Sequence, residues 1–326
     1  ALAPTWHFIL LGSVVSSLCL IYQPALFALV QDSLPPERRG MGSSIIQLIH
    51  GTFSTPGPII AGFLLLQFGL GWSMRIIYLS MTALYLTAAV WRLRLKETVT
   101  SGEPIRFRYF VSAYPKAIKE SISVWKKLPR SMLWLLIVQT TVMFSTSLTG
   151  VINQIYALNI LGVTLEQWWL VFIPMLLTVV AASIPIGKVV DKFGRKIPLI
   201  LGLFVLSGGT IIFAHGDFVT VMISMSLFGI AQLLVMSSAM ALSTDLVEPV
   251  NRGKVVGLRN FVGYIVMGFG MLLGNYLFLE GTLLSVPALP FYTAFLLIIP
   301  QLFIVLFLVH EKPKENMKTT SNPSVS

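Results

Sequence analysis

The stretch Gly187 to Lys196, read G-K-V-V-D-K-F-G-R-K, places Lys188, Asp191, Lys192, Arg195 and Lys196 between two long apolar runs. Charges packed this densely beside hydrocarbon-compatible sequence have two physical uses. Basic groups hold a loop on one side of a bilayer, and an acid among them can form ion pairs that separate when helices move. Gly187 and Gly194 flank the charges, and Gly194 allows a tight turn. A second pattern, D-x3-P-x2-R-G, occurs twice. It begins at Asp32 (Asp32, Pro36, Arg39, Gly40) and at Asp245 (Asp245, Pro249, Arg252, Gly253), at a constant offset of 213 residues. Little else could do covalent chemistry. Cys19 is the only cysteine, and the chain holds no glycine-rich phosphate loop, no H-E-x-x-H and no G-x-S-x-G. No metal or cofactor is expected, and an enzyme is the least favoured class.

Uncharged polar residues within apolar runs are the candidates for contact with a solute. Gln139, Thr146 and Asn153 recur every seven residues and so form one helical stripe, with Gly150 between them. Three polar groups in register are costly to turn toward lipid. Asn260 and Tyr264 share a face, Gln232 stands mid-run, and Gln47 and His50 share a stripe with Gly57. For any single amide, an interhelical hydrogen bond competes with a ligand role. No Asp or Glu lies deep in an apolar run, so His50 is the one titratable group there able to change charge near neutral pH.

The elements that position these residues are membrane helices. Of the 326 residues, 55% are hydrophobic and only 11% charged, and mean hydropathy is +0.82. A soluble domain carries about 25% charged residues. Nine segments reach the roughly 20 residues a bilayer requires: 5–31, 42–66, 72–93, 131–157, 166–187, 197–214, 218–243, 255–279 and 288–310. All of the 23 Lys and Arg except Arg75 then fall on one side, which the positive-inside rule makes cytoplasmic. The net charge of +10 therefore reads as orientation in a bilayer rather than affinity for nucleic acid. The carboxy terminus is expected in the cytoplasm, in a multi-pass protein of the plasma membrane. Residues 94–130 form a long basic linker, within which Tyr109 to Trp125 could lie on the membrane surface. From Glu311 on, the chain reads as a polar, disordered tail.

The repeat adds an expectation about organisation. Three spans precede the second D-x3-P-x2-R-G copy within its half, and none precedes the corresponding span of the first. Residues 1–93 read as the remainder of an amino-terminal half, 94–130 as the linker, 131–310 as a six-helix carboxy-terminal half and 311–326 as the tail. About 80–90 residues are expected to be missing from the front, by comparison of the two halves. A genuine nine-span protein is the alternative.

The charged loop G-x3-D-K-x-G-R-K, the duplicated D-x3-P-x2-R-G, the long central linker and the two-half layout together resemble the major facilitator superfamily of secondary transporters. The resemblance covers nearly the whole chain. It implies an all-α bundle of two pseudo-symmetric halves, with nine of twelve helices present here, and alternating access for a small solute, with protons as a candidate coupling ion. It implies a monomer when full length. It also implies that the loop latches the cytoplasmic side: Asp191 near the start of the eighth span, Arg195 paired with Asp245, Arg252 extending the network, and Asp32 and Arg39 in the first-half copy. Gly57-Pro58-Ile59-Ile60-Ala61-Gly62 is similar to a G-P-x2-G-G motif of drug and proton antiporters, with Ala61 in place of a glycine. Gly57, Pro58 and Gly62 read equally well as a helix-packing motif. On this basis efflux is favoured, with nutrient uptake and a non-transporting scaffold or sensor as alternatives.

Overall fold

The structure is a computed structural model that describes residues 5–19, 56–94, 123, 125, 128–247 and 249–311. Every described element of regular secondary structure is a helix. In chain order these are α1 (Trp6–Cys19), α2 (Pro56–Arg92), α3 (Arg130–Gly150), α4 (Ile152–Asn159), α5 (Leu165–Leu170), α6 (Phe172–Phe193), α7 (Lys196–Ala214), α8 (Phe218–Leu246), α9 (Pro249–Leu283) and α10 (Leu289–Leu308). The chain divides into two compact units, Ala1–Arg106 and Phe107–Ser326.

In the first unit, α1 covers the front of the first expected span. Helix α2 holds the end of the second expected span and the whole of the third. Instead of a loop between them, the helical path breaks at one residue, Gly69, whose backbone sits at φ 68°, ψ 171°. Such a positive φ is open to glycine at little steric cost. The bend brings the buried Ser73 hydroxyl to the carbonyl of Leu64 at 2.7 Å, and it also donates to the Gly69 carbonyl at 2.6 Å. In a straight helix the Leu64 and Ser73 positions would stand about 13 Å apart.

In the second unit each expected span appears as a helix or a pair of short, nearly continuous ones. Helices α3 and α4 are joined through Val151, and α5 and α6 through Val171, both in helical backbone. Helix starts are marked by side chains. Thr164 and Gln167 form a reciprocal cap on α5, and Asp217 and Thr220 form one on α8. The Thr220 hydroxyl and backbone N–H hold the Asp217 carboxyl below its ordinary range. The three residues His215 to Asp217 therefore suffice to separate two spans, because they end one helix and cap the next.

The bundle follows a spatial order α6–α8–α7–α10–α3–α9. Its two cores occupy opposite ends. Near the charged loop, Met132, Leu135, Leu203, Leu242 and Ile298 are fully buried. At the other end the packing is aromatic: the ring centroids of Tyr156 and Phe291 are 4.7 Å apart, Phe213 stacks on Phe291 at 5.3 Å, and Tyr156 Oη donates to the Ala214 carbonyl at 2.8 Å. Buried hydroxyls tie helices together: Ser145 donates to the Ala294 carbonyl (α3 to α10, 2.6 Å) and Ser224 to the Gly209 carbonyl (α8 to α7, 2.7 Å).

Among the described contacts, helices α3 and α9 approach most tightly. A Cβ built on Gly274 would lie 2.0 Å from the Leu148 carbonyl oxygen, one on Gly270 1.9 Å from Ser147 Oγ, and one on Gly263 2.8 Å from Met143 Sδ. Partners advance together along both chains, so the helices run parallel. Lipid tails are as apolar as leucine, and close packing of this kind drives helix association within a bilayer. Gly57, the repeat counterpart of Gly270, meets nothing within 4 Å among the described residues, whereas Gly62 is buried.

Gly274→Ala should therefore force α3 and α9 apart and cost about 1–3 kcal/mol, as overpacking does. Thermal unfolding in detergent would read this as a loss of several degrees, whereas Gly268→Ala, on the same helix with nothing within 4 Å among the described residues, should be near neutral. Equal melting points for the two variants would show that the seam does not carry stability.

Candidate functional site

The loop between α6 and α7 is held by neighbours from two other helices. Gly194 is in the left-handed region at φ 84°, and a Cβ on it would stand 2.9 Å from Glu311 Oε2. The positive φ favours glycine there, whereas the flexible Glu311 side chain could shift to admit a Cβ. The Glu311 carboxylate accepts from the backbone N–H of Arg195 and from that of Lys196. These amides open α7, where the helix dipole favours an anion. Lys196 Nζ donates to the Leu306 carbonyl near the end of α10 at 2.8 Å. The Arg195 guanidinium forms an ion pair with Asp245 in the last turn of α8, with side chains 28% and 17% exposed. That partial burial strengthens the Coulombic attraction of the pair while raising its desolvation cost. The chain from α6 to α7 is consequently fastened to α8 and α10 at one end of the bundle.

The sequence pairs Arg195 with Asp245 only through the family resemblance, and the structure brings the two together. Glu311 is a correction. Read as the first residue of a free polar tail, it instead caps α7 across the loop. Its visible signal was an acid placed directly at the end of the last span. Asp191 and Lys192 lie in the last turn of α6, and Arg252 in the first turn of α9. Asp32, Arg39, Gln47 and His50 lie outside the described residues.

A second polar group lies farther into the apolar region and joins α3, α8 and α9. Arg259 is four residues, about 6 Å, into the apolar stretch of α9 that begins at Val255. Its Nε and Nη2 donate to Asn260 Oδ1 at 3.3 and 3.0 Å, and its Nη1 donates to Gln139 Oε1 at 3.4 Å. Gln139 Nε2 donates in turn to the buried Ser243 hydroxyl at 3.4 Å, and Ser243 to the Ala239 carbonyl at 2.7 Å. Gln139 and Asn260 were singled out separately in the sequence, and the parallel α3–α9 seam places them in one cluster. Arg259 was read there only as an orientation charge.

The remaining candidates are dispersed. Thr146 is exposed and its hydroxyl donates to the carbonyls of Val142 and Met143. Asn153, on α4, buries its Oδ1 without a hydrogen-bond partner among the described residues, leaving an acceptor for water or a ligand. Gln232 and Tyr264 are exposed. No grouping of His, Cys, Asp or Glu among the described residues could hold a metal ion.

Glu311→Ala should free the first amides of α7. Hydrogen exchange across residues 194–199 should rise about two- to tenfold, the range that helix-end charge effects allow, with Glu311→Gln between the two because it keeps an acceptor but loses the charge. Unchanged exchange in Glu311→Ala would remove the capping role.

Seven described helices are long and apolar enough to cross a membrane. The family model described as Major Facilitator Superfamily matches this chain twice, over residues 1–166 and 135–324. The uncharacterized MFS-type transporter C18.02 of Schizosaccharomyces pombe is 35% identical over 91 residues, a stretch covering 27% of this chain and 20% of that protein. The chain is an all-α, multi-pass membrane protein that belongs to the major facilitator superfamily.

Proposed function

We propose that the protein is a secondary active transporter, moving a small organic solute across the plasma membrane by alternating access, with its carboxy terminus in the cytoplasm. The observation that carries this reading is the match of the family model along the whole chain, supported by the similarity to a protein described as an MFS-type transporter. The Arg195–Asp245 ion pair and the Glu311 cap supply a physical device suited to it. Such contacts at a membrane boundary hold helix ends together at modest energy and can be exchanged for water when the end opens. Asp191, Lys192, Arg252, Asp32 and Arg39 extend the device in this reading.

Export is the favoured direction, on the Gly57-Pro58-x2-x-Gly62 pattern. Proton coupling would use His50, since no carboxylate lies deep in a span. Gln139, Thr146, Asn153, Gln232, Asn260 and Tyr264 line the solute's path.

The test compares solutes in the medium and interior of cells expressing the full protein, cells lacking it and cells expressing Arg195→Gln. Export predicts at least one solute moved outward by the wild type, with flux reduced about tenfold in Arg195→Gln at equal protein level, as expected when a gating equilibrium shifts by one ion pair. Inward movement would replace export by uptake. No solute moved in either direction would sink the transport reading and leave a membrane scaffold.

A further inference from the structure

The guanidinium of Arg259 has an unusual set of partners. It is half-buried on a helix that spans the apolar region, where a charge is costly unless compensated. Every hydrogen bond it makes among the described residues ends on a neutral amide oxygen, of Asn260 or Gln139. These use three of its five N–H groups, leaving one on each terminal nitrogen without a partner among the described residues. No carboxylate pairs with it among the described residues, and no Asp or Glu lies deep in any apolar run of the sequence. Two donors on a planar, permanently charged fork match the two oxygens of a carboxylate or phosphate.

The surroundings favour a solute over an acyl chain. The groove between α7 and α10 is lined by Ile197, Leu201, Phe204 and Phe303 among other purely apolar residues, and suits hydrocarbon. Helices α3, α8 and α9 instead carry Thr146, Gln232 and Tyr264 as exposed polar groups, and Arg259 bridges the same three helices through Gln139 and Ser243. Gln139 and Asn260 orient the guanidinium without neutralising it, so its attraction for an anion is retained.

We propose that Arg259, positioned by Gln139 and Asn260, recognises a carboxylate or phosphate group on the transported solute, which is therefore an organic anion. The transport reading above supplies only the origin of that anion; the binding site stands on the geometry.

The experiment measures thermal unfolding of the full protein in nanodiscs of phosphatidylcholine alone, with benzoate, phenyl phosphate or the neutral isostere benzamide added. Benzoate and phenyl phosphate should raise the wild-type Tm by about 2–4 °C near ten times their Kd, and benzamide should not. Arg259→Gln should abolish the response. Where that variant folds poorly, Arg259→Lys carries the test: it keeps a charge but loses the fork, and should weaken the response to phenyl phosphate several-fold. Equal shifts with benzamide, a response unchanged in both variants, or no response to either anion overturns the site. Stabilisation only when phosphatidylglycerol is added to the discs, and only with Arg259 intact, assigns the anion to a lipid headgroup and overturns the solute proposal. Anion binding through Arg259 without any solute flux would sink transport and leave the site. Flux of a neutral solute unaffected by Arg259→Gln would do the reverse.

Discussion

The close approach of α3 and α9 is the constraint on which the polar architecture of the carboxy-terminal unit depends. A bilayer gives no hydrophobic reward for bringing two apolar helices together, so association rests on contact distance and on polar groups satisfied between helices. Gly263, Gly270 and Gly274 remove the side chains that would hold the backbones apart. The parallel register they set is the one that lays Arg259 against Gln139. Shifting α9 by one turn would move that guanidinium about 5.4 Å along the helix axis, out of reach of the amide and toward hydrocarbon. The cluster is therefore a consequence of glycine spacing as much as of its own residues.

The loop at Gly194 follows different physics. It lies at the bundle's charged end, where single hydrogen bonds to exposed groups are weak, and several act together. Glu311 meets the two leading amides of α7, Lys196 reaches the end of α10, and Arg195 meets Asp245. An anion at a helix start and a cation at a neighbouring helix end each lower the energy of a partial charge that already exists. Such contacts define a geometry without locking it, unlike the α3–α9 seam, where backbone touches backbone.

Much of this was legible in the sequence. Apolar run length placed the helices of the second unit to within about six residues, because a bilayer sets span length directly. His215-Gly216-Asp217 was enough to divide two spans, since Asp217 caps the second of them. The turn at Gly69 was not legible as a single residue: Gly69 and Gly71 both stand near it, and nothing in the local pattern tells which takes positive φ. The glycine seam was hidden for a related reason, since Gly268 is as glycine-rich in context as Gly270 yet meets nothing within 4 Å among the described residues. Arg259 reads in the sequence only as an orientation charge, because charge counting treats every basic residue near a span's end alike. Its partners Gln139 and Asn260 are brought to it by the three-dimensional register of α3 and α9. Glu311 escaped because its partners are backbone amides more than a hundred residues away, and amides leave no mark in residue type.

The two polar groups are not independent, because both end on the last two turns of α8. Ser243 accepts from Gln139 in the Arg259 cluster, and Asp245 accepts from Arg195 in the loop network. Two residues apart, they stand about 3 Å apart along the axis of one helix. An anion that drew the Arg259 guanidinium away from Gln139 would release an amide whose other bond is to Ser243. Any rotation or shift of α8 that answered this would change the Arg195–Asp245 distance directly. A buried neutral hydrogen bond and a half-buried ion pair differ in energy by only a few kcal/mol at most. In the transport reading proposed above, this shared helix would let binding at the inner group bear on the ion pair at the outer one.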